Sequence, residues 1–467
     1  MPVRFPPGLH KIEHNEAPKA TCSAFPYCEA GSQSYVLLRV KTQSKQSRRV
    51  RSVTIWGINY APEKTGIGPQ NTWLAEALVK QGYEVRMVCA FSYYPAWMKN
   101  PQDRGKLYRT EMIGEVVVQR NWLYVPKAPS LIKRTLQQLS FVTLAALRLL
   151  FSHSADQYIV VSPPFLMSPV MRILAFLKAR PYIVHLQDDE VQAAYETTNM
   201  GKRAYRFLKA LEVWGYRGAE MLSTISDGMR ARLLEQLNPE DNKSPHTKSV
   251  ALLANRASVT VEVSQEKVAA FRDKLRTRRL LVYSGNLGDK QVLDAFIPAV
   301  ASFNREELLF YICGQGAQKQ RLQELIDSTG ADNIRFESLL PDEEYHTLLA
   351  AADACALSER TKKGEWLSPG ICFASKMLSY MKQGKPLLLY AEEISEAASI
   401  VKKMNCGFTL GAEQDLRALL SEFLKCDEKT LTSMGAQSHD FYGRFTQSHN
   451  VSQWCGEVLG YISPPET

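Results

Sequence analysis

The sequence predicts an α/β protein made of two Rossmann-like domains, each with a parallel sheet. Two series of strand–glycine turn–helix units support this prediction, one beginning at Val53 and the other after Arg279. Such units are typical of parallel sheets whose strands are joined by helices. Charge also divides the 467-residue chain, because residues 51–255 carry a net +8 and residues 256–467 a net −4. We therefore expect two domains with different partners.

The first series opens with a β-branched apolar run, 53–59, that we interpret as a buried strand. A glycine-containing loop, 60–69, follows it, and after a predicted helix comes a second strand at 84–89. This order begins a Rossmann-like domain, in which ligands bind at the carboxyl ends of the strands. Gly66 and Gly68 lack the third glycine of a dinucleotide fingerprint, and no acidic residue ends the second strand. A nicotinamide cofactor is therefore not predicted.

Four more strands complete the predicted first domain, at 157–161, 181–188, 220–226 and 248–255. His185 and Asp188 stand near the carboxyl end of the second of these. A histidine and an aspartate at a strand exit can form part of a site or serve the structure, and the residues alone leave both open.

The second series predicts strands at 280–285, 308–313, 334–336 and 354–357, each leading into a turn. Next comes a loop–helix–strand stretch, 368–386, where Ser375 stands at a helix start and Gly384 at its end. A helix start offers unpaired N–H groups, and Lys376 adds an ammonium, so this stretch predicts a phosphate site. An ordinary structural unit with a solvated lysine remains the alternative.

Residues 126–151 contain apolar side chains at helical spacing with lysines and arginines beside them. This pattern predicts either a helix packed on the sheet or a surface that dips into the lipid interface.

Residues 1–50 mix Pro, Ser, Gln and basic side chains, with a net charge of +5, and we expect a disordered extension. The nine cysteines show no repeated spacing, which favours a reducing compartment. No apolar stretch approaches the roughly 20 residues of a membrane span, and no signal peptide is evident. We expect a cytoplasmic protein. The basic residues are scattered, so we expect no nucleic-acid partner.

The chain resembles the glycosyltransferases of family 4, which have the GT-B fold of two Rossmann-like domains facing across a cleft. Within that family it is most similar to the colanic-acid-type polysaccharide glycosyltransferases. The likeness covers about residues 52–460. It is carried by Gly57–Gly68, Tyr93–Trp97, Ser162–Pro164, His185–Asp188, Tyr283–Gly288, Gly314–Gly316, Ala374–Lys376 and Asn405–Gly407.

The resemblance implies an acceptor-binding domain at 51–260 and a nucleotide-sugar-binding domain at 275–440. A C-terminal helix in 441–467 would cross back to the first domain. The implied reaction moves a sugar from a nucleotide-diphosphate sugar, with retention and without a protein-bound metal or cofactor. The implied acceptor is a lipid-linked saccharide or an oligosaccharide, met at the inner face of an anionic membrane by a peripheral protein.

Site residues follow from the same resemblance. Gly66 and Gly68 would form the loop over sugar and acceptor, and His185, with Asp188, would be catalytic and face the reacting sugar. The donor would be bound by Gly285, Asn286, Lys290, Gly314, Ser375, Lys376 and Glu396.

The chain also departs from the family pattern. Ile371 and Ser379 occupy the positions of two donor-site glutamates, and Asp189 and Glu190 replace a usual Trp-Pro pair. Asn286 stands where many relatives have arginine. Two alternatives therefore remain, an inactive nucleotide-sugar-binding scaffold and a sugar-nucleotide epimerase of the same architecture.

Overall fold

The computed structural model describes residues 50–64, 66–94, 96–127, 131–237, 249–257, 261–288, 293–358, 375–391, 395–410 and 415–460. All of these described residues belong to one compact unit. The predicted disordered extension lies outside the described residues, except for Val50. Val50 is buried and packs in the same apolar cluster as Val53 and Ile55.

The first domain contains an eight-stranded sheet in the order β3-β4-β2-β1-β5-β6-β7-β8. Its strands are β1 (Ser52–Trp56), β2 (Glu84–Ala90), β3 (Tyr108–Ile113), β4 (Val116–Asn121), β5 (Gln157–Ser162), β6 (Tyr182–Leu186), β7 (Met221–Thr224) and β8 (Val250–Leu252). All neighbours pair in parallel except β3 and β4. That antiparallel hairpin, which turns at Gly114 with φ +58°, was missing from the sequence prediction.

Six helices of this domain are α1 (Gly68–Lys80), α2 (Leu131–Phe151), α3 (Met167–Lys178), α4 (Glu190–Thr197), α5 (Lys202–Gly218) and α6 (Asp227–Leu237). Helices α2, α3, α5 and α6 cover one face of the sheet, where Phe141, Met171, Tyr216 and Met229 share an apolar cluster with Trp56 of β1. Helix α1 packs on the opposite face through Leu74 and Leu78.

Helix α2 has two apolar sides. Phe141, Val142, Ala145 and Leu149 are buried against the sheet, as in one of the two sequence interpretations. The other side leaves Ile132, Leu136, Leu139, Leu147 and Phe151 exposed. No described helix is long and apolar enough to cross a membrane.

The second domain contains a six-stranded parallel sheet in the order β11-β10-β9-β12-β13-β14. Its strands are β9 (Arg279–Asn286), β10 (Leu308–Gln315), β11 (Ile334–Glu337), β12 (Ala354–Ser358), β13 (Leu387–Tyr390) and β14 (Gly407–Thr409). Its helices are α7 (Gln265–Leu275), α8 (Leu293–Val300), α9 (Lys319–Thr329), α10 (Asp342–Ala351), α11 (Ser375–Lys382), α12 (Glu396–Met404), α13 (Leu416–Lys425) and α14 (Glu428–Ser448). The predicted fold of two Rossmann-like domains is confirmed.

The last described helix, α15 (Val451–Val458), packs on the first sheet. Trp454 is fully buried there, and its indole N–H donates to the Ser223 hydroxyl at 2.7 Å. Just before this helix, the Ala254 N–H donates to the His449 carbonyl at 3.1 Å. The chain therefore leaves the second domain through α14, and α15 lies against the first.

Two side-chain contacts join the carboxyl edges of the sheets. Lys64, which follows β1, pairs with Asp342 at the start of α10 at 2.8 Å. Glu396, which begins α12, accepts from the Ser226 hydroxyl at 2.7 Å and from the Gly228 N–H at 3.0 Å, both after β7. Ligands of parallel α/β domains bind at these edges, so the two edges enclose the natural place for a site.

Candidate active site

The ends of β9 and β10 form the floor of the predicted donor site. Gly285 and Gly314 are paired in register on these neighbouring strands. A Cβ on Gly314 would lie 2.1 Å from the Gly285 carbonyl oxygen, and Gly285 has φ +129°. Both conditions exclude a side chain, so the two glycines leave bare backbone at the strand ends.

Helix α11 is attached to this floor by a buried tyrosine. The Tyr380 hydroxyl accepts from the Ser284 N–H at 2.8 Å and donates to the Ser284 carbonyl at 3.1 Å. One turn earlier on the same helix, the Lys376 ammonium donates to the Tyr283 hydroxyl at 2.7 Å. A Cβ on Gly285 would lie 3.5 Å from that ammonium. The lysine thus lies directly over the glycine floor.

Asn286 completes this group through its backbone. The Tyr283 hydroxyl, which accepts from Lys376, donates to the Asn286 carbonyl at 2.7 Å. The fold therefore brings Gly285, Asn286, Gly314 and Lys376 together, and an exposed Ser375 begins α11 beside them. Lys290 and residues 359–374 lie outside the described part of the chain.

The start of α11 adds polarity to this place. The first N–H groups of any α-helix have no partner within the helix, and they carry partial positive charge. Together with the Lys376 ammonium, they make a setting suited to an anion, and phosphate groups are commonly bound in this way.

Glu396 lies at the same edge of the second sheet but points to the first domain. Its carboxylate is bonded to Ser226 and to the backbone of Gly228, as described above, and burial raises its pKa. The space is tight, since a Cβ on Gly228 would lie 2.4 Å from a Glu396 carboxylate oxygen. The structure thus places this predicted donor-binding residue at the junction of the domains.

The glycine loop after β1 is held by a buried carboxylate. Glu63 accepts from the N–H groups of Tyr93 and Tyr94, at 2.9 and 3.0 Å, and from the Asn59 amide at 2.7 Å. Gly66 has φ +68°, and Gly68 begins α1 at a place where an added Cβ would lie 3.1 Å from the Glu63 carbonyl oxygen. Both glycines lie at the carboxyl edge of the first sheet, where the predicted loop over the sugar would be.

The structure corrects the expectation that His185 faces the reacting sugar. The imidazole is 1% exposed, inside β6. Nδ1 lies 3.0 Å from the Ser223 hydroxyl and Nε2 lies 3.0 Å from the Gln187 amide nitrogen. An amide N–H can only donate, so Nε2 accepts and the proton is on Nδ1. Burial lowers the pKa of His185 to about 4, so the ring is neutral and structural.

Asp188 is half-buried just after β6, at the carboxyl edge of the first sheet. Its neighbour Asp189 is buried, and the Asp189 carboxylate already has partners. The Asp189 carboxylate caps α4 through the Gln192 N–H and pairs with Lys209 at 2.8 Å and with Arg232 at 3.3 Å. Although burial alone would raise it, the pKa of Asp189 is held below its usual value, chiefly by the Lys209 ammonium.

Sequence reasoning missed the ionic cluster that forms around Lys209. This ammonium also pairs with Glu212 at 2.6 Å, whose pKa burial raises to about 7. Glu190 accepts from the Phe165 N–H at 2.9 Å and so ties α4 to the Ser-Pro-Pro loop. The Asp-Glu pair at 189–190 was the available sequence signal for this cluster. Where relatives have Trp-Pro, an acidic side chain needs a partner if the position is buried.

In the part of the chain that the structure describes, no three His, Cys, Asp or Glu side chains lie close enough to bind a metal ion. The described part of the site thus consists of the glycine floor of Gly285 and Gly314, the Lys376 ammonium, the start of α11 and the Glu396 carboxylate at the junction of the domains.

Two family matches cover most of the chain. Residues 65–243 match the family described as "Glycosyl transferase 4-like domain", and residues 264–440 match "Glycosyl transferases group 1". The chain is 30% identical over 356 residues to the putative colanic acid biosynthesis glycosyl transferase WcaI of Escherichia coli K12, covering 74% of this chain and 85% of that one. It is 24% identical to the probable glycosyltransferase WbjE of Pseudomonas aeruginosa, over 50% and 56% of the two chains.

Solved structures show the same fold at low sequence identity. WaaG, a glycosyltransferase involved in lipopolysaccharide biosynthesis, superposes with a TM-score of 0.59 at 14% identity, over 88% of this chain and all of the other. HepE from Anabaena, solved in complex with UDP-glucose, gives 0.59 at 13% identity with the same coverage. With the two family matches and the WcaI relationship, these findings show that the chain is a family 4 glycosyltransferase of the GT-B fold, of the colanic-acid type.

Proposed function

We propose that the protein transfers a sugar, with retention of configuration, from a nucleotide-diphosphate sugar to a lipid-linked or oligosaccharide acceptor. The observation that carries this proposal is the Lys376 ammonium over the bare backbone of Gly285, beside the start of α11. A diphosphate fits there because cation and helix start both favour negative charge. HepE, a fold neighbour, was solved with UDP-glucose and also with UDP and glucose, which supports a nucleotide-sugar donor.

In the proposed reaction, the bond between the anomeric carbon and the diphosphate oxygen breaks and a bond to the acceptor oxygen forms on the same face. The acceptor hydroxyl gives its proton to an oxygen of the leaving diphosphate. Negative charge develops on the leaving diphosphate. Lys376 and the N–H groups at the start of α11 would stabilise it, and preorganised groups of this kind lower the barrier most in a site that excludes water. The buried His185 has no direct part in this step, while Asp188 keeps its predicted catalytic role.

The acceptor would enter along the glycine loop of Gly66 and Gly68, at the edge that faces the donor site. Bringing the acceptor hydroxyl to the anomeric carbon is a matter of position, which closing two domains around both substrates can achieve. We propose that the protein is cytoplasmic and meets its acceptor at the inner face of a membrane, as a peripheral protein.

The test is nucleotide release from a panel of nucleotide-diphosphate sugars, with and without a saccharide linked through diphosphate to a short, water-soluble lipid. Release that requires the acceptor, with a product whose anomeric configuration matches the donor by NMR, is the expected result. Donor binding without release would instead identify a scaffold. Acceptor-independent release with a changed sugar stereochemistry would identify an epimerase.

A further inference from the structure

The outer surface of α2, α3 and α5 is unusually apolar. Of the 17 large apolar side chains exposed in the described residues, ten lie on these three helices. Phe176 is 85% exposed, Phe151 83% and Phe207 68%. Monomeric soluble proteins rarely gather such side chains on one surface unless it binds something. We call this surface the three-helix face.

The three helices are neighbours in one layer on the first sheet. A Cβ on Gly215 of α5 would lie 2.6 Å from the Pro169 backbone nitrogen of α3, so these helices touch through their backbones. The Arg172 guanidinium of α3 lies 4.4 Å from the ring centre of Trp214 of α5. At the other side of α3, the Lys178 ammonium donates at 2.8 Å to the backbone carbonyl of Ser152, just after α2. The exposed apolar side chains therefore share a single surface.

Charge on this layer is almost entirely positive. The three helices carry ten lysines and arginines, three on α2, two on α3 and five on α5, against one acidic residue, Glu212. Glu212 is fully buried and paired with Lys209, so neither of these two adds charge to the surface, and nine lysines and arginines set its sign. Apolar side chains framed by basic ones are typical of surfaces that lie in the lipid interface.

We propose that the three-helix face docks the protein on an anionic lipid bilayer. Aromatic side chains such as Phe151, Phe176 and Trp214 would enter the headgroup region, and the basic side chains would contact lipid phosphates. The biological reason for this docking rests on the proposed function, because a lipid-linked acceptor lies at a bilayer surface. The evidence for the docking is the exposure of the apolar side chains and the positive charge of the three helices.

Electrostatics disfavours two other candidates for covering the three-helix face, which are a second copy of the chain and residues 1–49. A second copy on a two-fold axis would set this basic face against itself, since such interfaces join the same patch on both subunits. Residues 1–49 carry eight lysines and arginines against three glutamates, so that segment is repelled as well. An anionic bilayer is the occupant that complements both the apolar side chains and the charge.

The test is flotation of the full chain with vesicles of phosphatidylcholine containing phosphatidylglycerol, compared with phosphatidylcholine alone. We expect wild type to float with the anionic vesicles at about 0.01 M salt and to lose binding near 1 M, where the Debye length falls from about 30 to about 3 Å. The charge variant K202E/R203E/R206E changes exposed residues at the start of α5, where acidic groups suit the helix dipole. It should lower the partition coefficient about tenfold or more.

The apolar variant F151S/F176S/F207S should lower binding to a similar extent. A matched control, R417E/K425E/K429E, makes the same charge change at exposed positions of α13 and α14 in the second domain, and should float like wild type. The inference is overturned if wild type stays unbound at low salt, or if both face variants float normally. It is also overturned if the apolar variant instead converts a dimer to a monomer in sedimentation velocity.

A second readout separates this inference from the proposed function. With the water-soluble acceptor and no vesicles, the face variants should release nucleotide at the wild-type rate, because none of the changed residues lies at the donor site. If wild type floats but transfers no sugar from any donor, the proposed function fails and the docking surface stands. If wild type transfers sugar but never floats, the docking surface fails alone.

Discussion

At the scale of single residues, Lys376 is the side chain on which donor binding should depend most. Its ammonium lies over Gly285 and is held by the Tyr283 hydroxyl. Replacement by alanine removes a charge-assisted contact worth roughly 1.5–3 kcal/mol, so the affinity for a nucleoside diphosphate should fall about 10- to 100-fold. Calorimetry measures this, with Lys425→Ala on exposed α13 as the control. Equal losses in both variants, or none in either, would remove Lys376 from the donor site.

His185 should make stability depend on pH. Its pKa is lowered from 6.5 to about 4 by burial, so the unfolded state binds a proton between these values while the folded state does not. Stability is therefore complete above about pH 6.5 and declines by about 3 kcal/mol as the pH falls toward 4. Chemical denaturation across this range should show a steeper decline for wild type than for His185→Gln. Parallel curves would mean that another group is responsible.

At the scale of elements, the contact between α3 and α5 depends on a glycine. A Cβ on Gly215 would lie 2.6 Å from a backbone atom of α3, which cannot rotate away as a side chain can. Gly215→Ala should therefore cost roughly 1–3 kcal/mol of unfolding free energy. Gly443→Ala in α14 is the matched control, because nothing lies within 4 Å of its added carbon. That change should instead stabilise by about 0.5–1 kcal/mol. Thermal unfolding would contradict this reasoning if the two variants shifted the midpoint in the same direction.

At the scale of the whole molecule, the buried Glu396 carboxylate joins the two domains. Glu396→Ala leaves the Ser226 hydroxyl and the Gly228 N–H without this acceptor. We expect faster amide hydrogen exchange at the start of α6 and a larger radius of gyration in solution scattering. Glu396→Gln keeps an oxygen acceptor and should lie between alanine and wild type. Because Glu396 was also predicted to bind the donor, nucleotide affinity is measured separately. A loss of affinity without any change in exchange would favour donor binding over the junction.

Local pattern was enough to predict most strands of both sheets. The β-branched and apolar runs ending in glycine turns predicted parallel strands, since a strand buried on both faces must be apolar along its length. The edge strand β3 escaped prediction because its residues alternate between half-buried and exposed and show no such run. Its partner β4 was missed as well, although it begins with three valines, Val116–Val118. Helix α11 was predicted from local signals in 368–386, with Ser375 at its start and Gly384 at its end, and Gly384 has the positive φ of a helix stop.

The sequence by itself determined the two-domain α/β class, the family and the group of Gly285, Asn286 and Lys376, because each depends on residues close in the chain or on motifs in a fixed order. Only the tertiary structure decided what His185, Glu396 and Asp189 contact. Their partners are Ser223, Gly228 and Lys209, which lie 38, 168 and 20 residues away. Burial and pairing of a polar group arise from packing between distant segments. A local pattern such as Asp189-Glu190 can indicate that a partner is needed, but it does not say which residue the partner is.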